Sequence, residues 1–168
     1  MKRKLLWIIY LNFFLFNISF ANNIALIDLN FIINNSILGK KVIEKLENIN
    51  IKNLDLLKKE QKLLNNERDE IEKTKNILSK EELDKKILNL NNKLQNFSKK
   101  QELLSSEFNE LKQSEMSDLI NKINPIIEKY MIENKIDLML KKENIYISKI
   151  EHDVSKAIIN LIDNNYSN

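Results

Sequence analysis

The Glu151-His152-Asp153 triplet is the one place in this chain where residue types suggest acid–base chemistry, because His152 is the only histidine. Adjacent residues of a helix do not face one another, so the two carboxylates are not placed to share a proton with the imidazole. No nucleophile or second base accompanies His152. Ser148 and Asp153 have instead the residue types and spacing of helix N-caps. The triplet therefore predicts a helix start, and we expect no catalytic residue.

The inventory of cofactor-binding residues is equally short. Gly39 is the only glycine and there is no cysteine. A phosphate-binding loop needs several glycines, so ATP use is not expected. Without cysteine and with one histidine, a zinc site lacks ligands. We therefore predict no enzyme, no cofactor and no metal, and we expect Gly39 to permit a tight turn or close packing.

The first residues have the pattern of a signal peptide. Residues 1–4 form a short basic region with Lys2, Arg3 and Lys4, and residues 5–18 are mainly apolar. Ser19-Phe20-Ala21 places small residues where signal peptidase reads them. We predict cleavage after Ala21, with residues 1–21 removed. The alternative is an uncleaved anchor helix, but the apolar run is shorter than the roughly 20 residues that span a bilayer. The remainder is polar or amphipathic, so no other membrane-spanning segment is predicted.

The charge of the mature chain argues against a nucleic-acid partner. The formal net charge of +3 comes from Lys2, Arg3 and Lys4, which leaves 24 basic and 24 acidic residues after cleavage. A neutral domain lacks the basic surface that nucleic-acid binding needs. Residues 58–100 do carry 12 basic and 8 acidic side chains. This excess leaves open a weak contact with a membrane surface or an acidic partner, or simply a solvated helix surface.

Two apolar series with seven-residue spacing dominate the middle of the chain. Positions of the two series pair from the centre outward: 78 with 83, 71 with 90, 64 with 97 and 57 with 104. Within these pairs, the position in the first series falls by seven each time the position in the second rises by seven. This pairing predicts two long helices folded back on each other as an antiparallel coiled coil. We call the eight residues the arm seam: Leu57, Leu64, Ile71, Leu78, Leu83, Leu90, Phe97 and Leu104.

Ser79-Lys-Glu-Glu82 has the spacing of a capping box, in which the serine and the glutamate bond each other's backbone amides. It predicts that the second helix starts here and that the hairpin tip lies near residues 76–80. This helix runs toward Asn134, and Pro125 inside it should kink or break it.

The two helices fill the seam unequally. The second helix has further apolar residues, Ile87, Leu94 and Phe108, which we call the gap residues. By the same pairing, their partners in the first helix are polar: Thr74, Glu67 and Asn53. The gap residues are therefore candidates for contacting another molecule. Alternatively, the aliphatic stems of long lysine and glutamate side chains cover them.

The two ends of the chain predict a small β-containing body. Residues 24–27 read as a buried strand, residues 136–140 and 145–147 as a β-hairpin, and residues from about 153 as a final amphipathic helix. We divide the mature chain into a body, residues 22–45 and 125–168, and a helical hairpin arm, residues 46–124. The fold class is mainly α with a small β body. Such a body without disulfides is too small for a secure core, so we predict oligomerisation through it.

Several segments occur in a characteristic order: Ile24-Ala-Leu-Ile-Asp28, Ser36-Ile-Leu-Gly-Lys40, the long hairpin, Ile136-Asp-Leu-Met-Leu140, Ile145-Tyr-Ile147 and Asp153-Val-Ser155. Together they resemble the Skp/OmpH family of periplasmic chaperones over residues 22–168. The resemblance implies a jellyfish-like homotrimer in the periplasm, in which three arms project from a shared β-containing body. It also implies that the cavity between the arms holds unfolded outer-membrane proteins without ATP. The neutral mature chain departs from the strongly basic charge frequent in that family.

Two functions are therefore considered. The first is an ATP-independent holdase that encloses unfolded outer-membrane β-barrel proteins and prevents their aggregation, with the gap residues as client contacts. The second is a structural coiled-coil spacer or scaffold of the cell envelope. A spacer should have a continuous apolar seam, whereas a client cage should have gaps. The half-filled seam and the resemblance favour the holdase.

Overall fold

The structure is a computed structural model that describes residues 23–166. The predicted signal peptide and its cleavage site lie outside these residues. The described chain is mainly helical with a small two-stranded sheet. In chain order, the elements are β1 (Ile24–Ile27), α1 (Leu29–Asn35), α2 (Ile37–Thr74), α3 (Lys80–Glu133), β2 (Leu138–Lys141) and α4 (Ser155–Tyr166). Short 3-10 turns at Lys142–Asn144 and Ile150–His152 connect β2 to α4.

Helices α2 and α3 form the predicted hairpin, and local sequence explains where each begins. Ser36 caps α2 by accepting a hydrogen bond from the Gly39 amide. Ser79 and Glu82 form the predicted capping box at the start of α3. At about 1.5 Å per residue, the 38 residues of α2 and the 54 of α3 span roughly 57 and 81 Å.

Helix α3 continues through Pro125 to Glu133, so the predicted break at this proline does not occur. A proline inside a helix removes one backbone hydrogen bond, and its ring clashes with the carbonyl group four residues earlier. The residues around it pack on the body, since Ile123 is fully buried and Ile126 and Ile127 contact the core. Tertiary packing thus holds a helix that local sequence alone would interrupt.

A Schellman motif ends α3. The Ile136 amide donates to the Met131 carbonyl at 2.9 Å, and the Lys135 amide donates to the Ile132 carbonyl at 3.3 Å. Lys135 takes the left-handed conformation that this motif needs, with φ of 55°. The chain then reverses, and the Asp137 amide bonds the Asn23 carbonyl at 2.9 Å, which brings β2 alongside β1.

The sheet joins the two ends of the described chain. Strands β1 and β2 are parallel, with Ile24 opposite Leu138 and Ile27 opposite Lys141. A parallel pair needs a crossover connection, and here the whole hairpin serves as that crossover. On its other side, β1 contacts the chain before α4, where the Val154 amide donates to the Leu26 carbonyl at 3.0 Å.

The predicted β-hairpin of residues 136–140 with 145–147 is wrong. The second strand begins two residues later, at Leu138, and pairs with β1, while a 3-10 turn at Lys142–Asn144 leads into irregular chain at 145–147. Tyr146 and Ile147 are almost fully exposed. Apolar alternation reflects a preference for a half-buried surface, and it forms a strand only where a partner strand is available.

The core of the body lies where α1, α4 and the roots of α2 and α3 meet the sheet. Its buried residues are Ile27, Ile32, Ile33, Leu119, Ile123, Ile158 and Ile162. Gly39 sits at the corner between α1 and α2, where a Cβ would stand 1.9 Å from the Ile33 carbonyl oxygen. The expectation that Gly39 permits close packing is confirmed.

Candidate functional site

The arm is held together by a small apolar cluster in its middle. Leu64, Leu90 and Phe97 are buried there, and Leu57 and Ile71 pack against them. The other three seam residues, Leu78, Leu83 and Leu104, are half-buried and lie outside this cluster. The structure thus brings five of the eight seam residues together in one cluster.

Polar residues interrupt the seam in alternate layers, and two of them, Glu60 and Glu67, are bonded across the hairpin. Both carboxylate oxygens of Glu67 accept from the Lys93 ammonium, at 2.7 and 2.8 Å, and Glu60 accepts from Lys100 at 2.6 Å. These ion pairs are partly exposed. Pairs of this kind contribute at most about 1 kcal/mol each. They keep the polar layers satisfied and in register, but they add no apolar packing to the arm.

The gap residues do not share one environment. Ile87 is 41% exposed and Leu94 39%, whereas Phe108 is half-buried. Of their predicted partners, Glu67 is turned to Lys93, and the Thr74 hydroxyl donates to the Glu70 carbonyl of its own helix at 2.7 Å. Ile87 and Leu94 are therefore available to another molecule to a degree that Phe108 is not.

A second apolar line on the arm was not identified from the sequence. Ile49, Leu56 and Leu63 follow one another at seven-residue spacing along α2, and we call them the outer stripe. Ile49 is half-buried, Leu56 is 43% exposed and Leu63 68% exposed. The sequence does carry this periodicity, but these residues have no apolar counterpart across the hairpin that would mark them as a pair.

The body also exposes apolar side chains. Tyr146, Ile147 and Ile150 lie in the chain between β2 and α4 and are more than four-fifths exposed. Within residues 23–166, no strand pairs with the outer edge of β2. An open sheet edge and exposed apolar residues are both features suited to association with another chain.

Asp153 fastens this exposed segment to the body. It accepts from the Lys142 ammonium at 2.6 Å and from the Ser155 hydroxyl at 2.6 Å, and the Asp28 amide donates to that hydroxyl at 2.8 Å. Partial burial acts to raise the pKa of Asp153, but the hydrogen bonds from Lys142 and Ser155 outweigh it and hold the pKa below its ordinary value. The Asp153 hydrogen bond and charge raise the pKa of Lys142.

Among the described residues, no group of side chains is arranged as a catalytic or metal-binding site beside these surfaces. His152 is bonded through Nδ1 to the Ile24 carbonyl at 3.1 Å, which gives it a role in the body. Across residues 23–166, no group of histidine and acidic side chains could hold a metal ion. None of the helices in this part of the chain is long and apolar enough to cross a membrane.

Comparisons with known proteins agree with this architecture. No curated protein matches the sequence. The crystal structure of a candidate OmpH-like outer membrane chaperone from Caulobacter crescentus CB15 has a similar fold, with a TM-score of 0.78 over 85% of each chain and 20% sequence identity. The model of the family described as outer membrane protein (OmpH-like) matches residues 23–162. That match spans both the body and the arm, so the chain belongs to the OmpH-like family.

Proposed function

We propose that this protein is an ATP-independent periplasmic holdase that encloses unfolded outer-membrane β-barrel proteins between its arms and prevents their aggregation. One observation supports this above all: a long hairpin in a chain of the OmpH-like family leaves apolar side chains exposed beside polar, ion-paired layers. A spacer would use those positions to pack its own seam.

The proposed mechanism is enclosure by many weak contacts. A partly exposed side chain such as Ile87 or Leu94 covers little of a client, so each contact is weak and exchanges quickly. Several arms around one client multiply such contacts, because each further contact is intramolecular once the first has formed. The client's apolar strands are then kept from pairing with other chains, which is the step that leads to aggregation.

We further propose that the working form is a homotrimer, as the family resemblance implies. The exposed side chains of Tyr146, Ile147 and Ile150 and the open edge of β2 support association through the body. In this proposal, residues 22–45 and 125–168 form the shared body, and residues 46–124 form the arm. Cleavage after Ala21 would release the mature protein into the periplasm.

The test combines assembly with client protection. The purified mature protein is weighed by native mass spectrometry alone and after mixing with one urea-unfolded β-barrel protein that is diluted from denaturant. A trimer that takes up one client and suppresses its light scattering without ATP is expected. A protein that neither binds the client nor slows its aggregation would leave the envelope spacer as the better function.

A further inference from the structure

The outer stripe is an apolar line without a partner among the described residues of the chain. Val42, seven residues before Ile49, packs against the body core, so the line leaves the body at the root of α2. Exposure then increases along the arm, from half-buried Ile49 to Leu56 at 43% and Leu63 at 68%. Leu56 is exposed as much as the gap residues Ile87 and Leu94, and Leu63 is exposed well beyond them.

An ion pair separates this line from the arm seam. On a helix surface, Glu60 neighbours Leu57 and Leu64 of the seam, and it also neighbours Leu56 and Leu63, since all four lie three or four residues away. The Glu60 carboxylate is bonded to Lys100 of the opposite helix at 2.6 Å. The outer stripe is therefore not an extension of the packed seam but a separate surface on the far side of a charged row.

The other border of the stripe is charged as well. A shallow open groove on this face of α2 is lined by Lys52, Asp55, Leu56, Lys59, Glu60 and Leu63. Ammonium groups can donate to carbonyl oxygens, and carboxylates can accept from amides. The groove thus combines two leucines with donors and acceptors that match the unpaired backbone of an extended chain.

The size of the stripe argues against a folded partner. Three side chains in a single line expose at most a few hundred Å², whereas stable interfaces bury roughly 1,200 Å² or more. A partner helix would also need two adjacent apolar lines for knobs-into-holes packing. Here, the neighbouring lines are charged.

We propose that the outer stripe, centred on Leu56 and Leu63, is a docking line for an extended apolar segment of an unfolded polypeptide. The inference rests on the proposed holdase function and deepens it. It places the main client contact on α2 rather than on the gap residues of α3. Lys52, Asp55 and Lys59 hold the backbone of the segment, while the two leucines contact its side chains.

The experiment compares the parent with Leu56→Ser/Leu63→Ser and with a matched control, Leu54→Ser/Leu103→Ser. The control leucines are 57% and 56% exposed but lie off the stripe. Each full-length mature protein is titrated into a dye-labelled, urea-unfolded outer-membrane β-barrel protein, and fluorescence anisotropy gives Kd. We expect the stripe variant to bind about tenfold more weakly. The control should stay within about twofold of the parent.

Circular dichroism and native mass are measured on all three proteins. Unchanged helicity and mass with weakened binding support the stripe. Equal binding by the stripe variant and the parent overturns the stripe and leaves the holdase function standing. A change in the mass of the stripe variant would mean that a second copy covers the leucines, which also overturns the proposal. If the parent itself fails to bind, the holdase function and the stripe fall together.

Discussion

Gly39 lies directly against the backbone of Ile33, so close that a Cβ would stand 1.9 Å from its carbonyl oxygen. Replacing Gly39 with Ala must therefore push α1 away from α2 and disturb the core that both helices cover. We expect Gly39→Ala to lower the free energy of unfolding by about 2 kcal/mol or more, even though alanine favours helix. Urea unfolding followed by circular dichroism measures this change. Asn48→Ala, an exposed position in the same helix, is the control and should be neutral or slightly stabilising.

Replacing Lys135 with glycine is expected to stabilise the protein, which is the opposite of the effect of Gly39→Ala. Lys135 holds a φ of 55° at the end of α3, a conformation that glycine adopts without cost. Lys135→Gly should raise the free energy of unfolding by about 0.5–1 kcal/mol. Lys129→Gly inside the same helix should lower it by about 1 kcal/mol. Equal effects of the two glycines in urea titrations would contradict the Schellman assignment.

The Lys142–Asp153 ion pair should make attachment of the exposed 142–153 segment depend on pH. Since the pKa of Asp153 is lowered, its contribution is present above its ordinary pKa of about 4 and is lost as the pH falls through the folded value. Since the pKa of Lys142 is raised, its contribution is present below its ordinary value and is lost as the pH rises through the folded one. Amide hydrogen exchange in residues 142–153 should therefore be slowest at neutral pH relative to the intrinsic rate.

Two substitutions and one control identify the source of that protection. Lys142→Ala should raise exchange in residues 142–153 at pH 7, whereas Lys149→Ala, which removes an exposed lysine of the same segment, should not. Asp153→Asn should lower the free energy of unfolding by about 1 kcal/mol relative to the parent at pH 7. This difference should shrink at low pH, as Asp153 of the parent becomes protonated. A constant difference between pH 7 and pH 3 would show that charge is not the cause.

The arm seam and the gap residues should separate stability from client binding. Ile71→Asp with Leu90→Asp places like charges against the apolar cluster of the arm and should melt the outer hairpin. Ile87→Ser with Leu94→Ser removes exposed side chains, so it should weaken the protection of clients but leave helicity unchanged. Circular dichroism at 222 nm and client light scattering distinguish the two effects. Loss of helicity in the serine variant would show that these residues support the arm itself.

Association through the body should make unfolding depend on protein concentration. Tyr146→Ser/Ile147→Ser changes two exposed residues and should shift the native mass toward the monomer. The midpoint of thermal unfolding should rise with concentration in the parent, because association stabilises only the folded state. A folded parent monomer at micromolar concentration with a constant midpoint would contradict the proposed trimer.

The hairpin could be predicted from the sequence because its determinants are local and repeated. Ser79 and Glu82 lie three residues apart, and their capping box is confirmed. Leu64 and Phe97 belong to heptad series that continue over several turns, and the structure buries both. Each further repeat adds to the same conclusion, so one polar residue in a series does not reverse it.

The sheet and the outer stripe could not be predicted in the same way. Ile145 and Ile147 alternate as strand residues do, but alternation does not say which partner is available, and β2 pairs with β1 instead. The seven-residue spacing of Leu56 and Leu63 is as regular as that of the seam. The outer stripe has no counterpart across the hairpin, so only the exposure of its side chains in the structure reveals it as a surface.

The parallel pairing of β1 with β2 has a consequence for how the chain acquires its shape. The contact between Asn23 and Asp137 closes a loop of 114 residues, whereas the hairpin can zip from its tip through contacts of short sequence separation. As the chain emerges amino terminus first, β1 must wait until the entire hairpin has followed it. Formation of the hairpin from its tip then brings β1 and the segment of β2 close together, which lowers the entropic cost of closing the loop. A polypeptide that stops before Leu138 would therefore form the arm but could not complete the sheet.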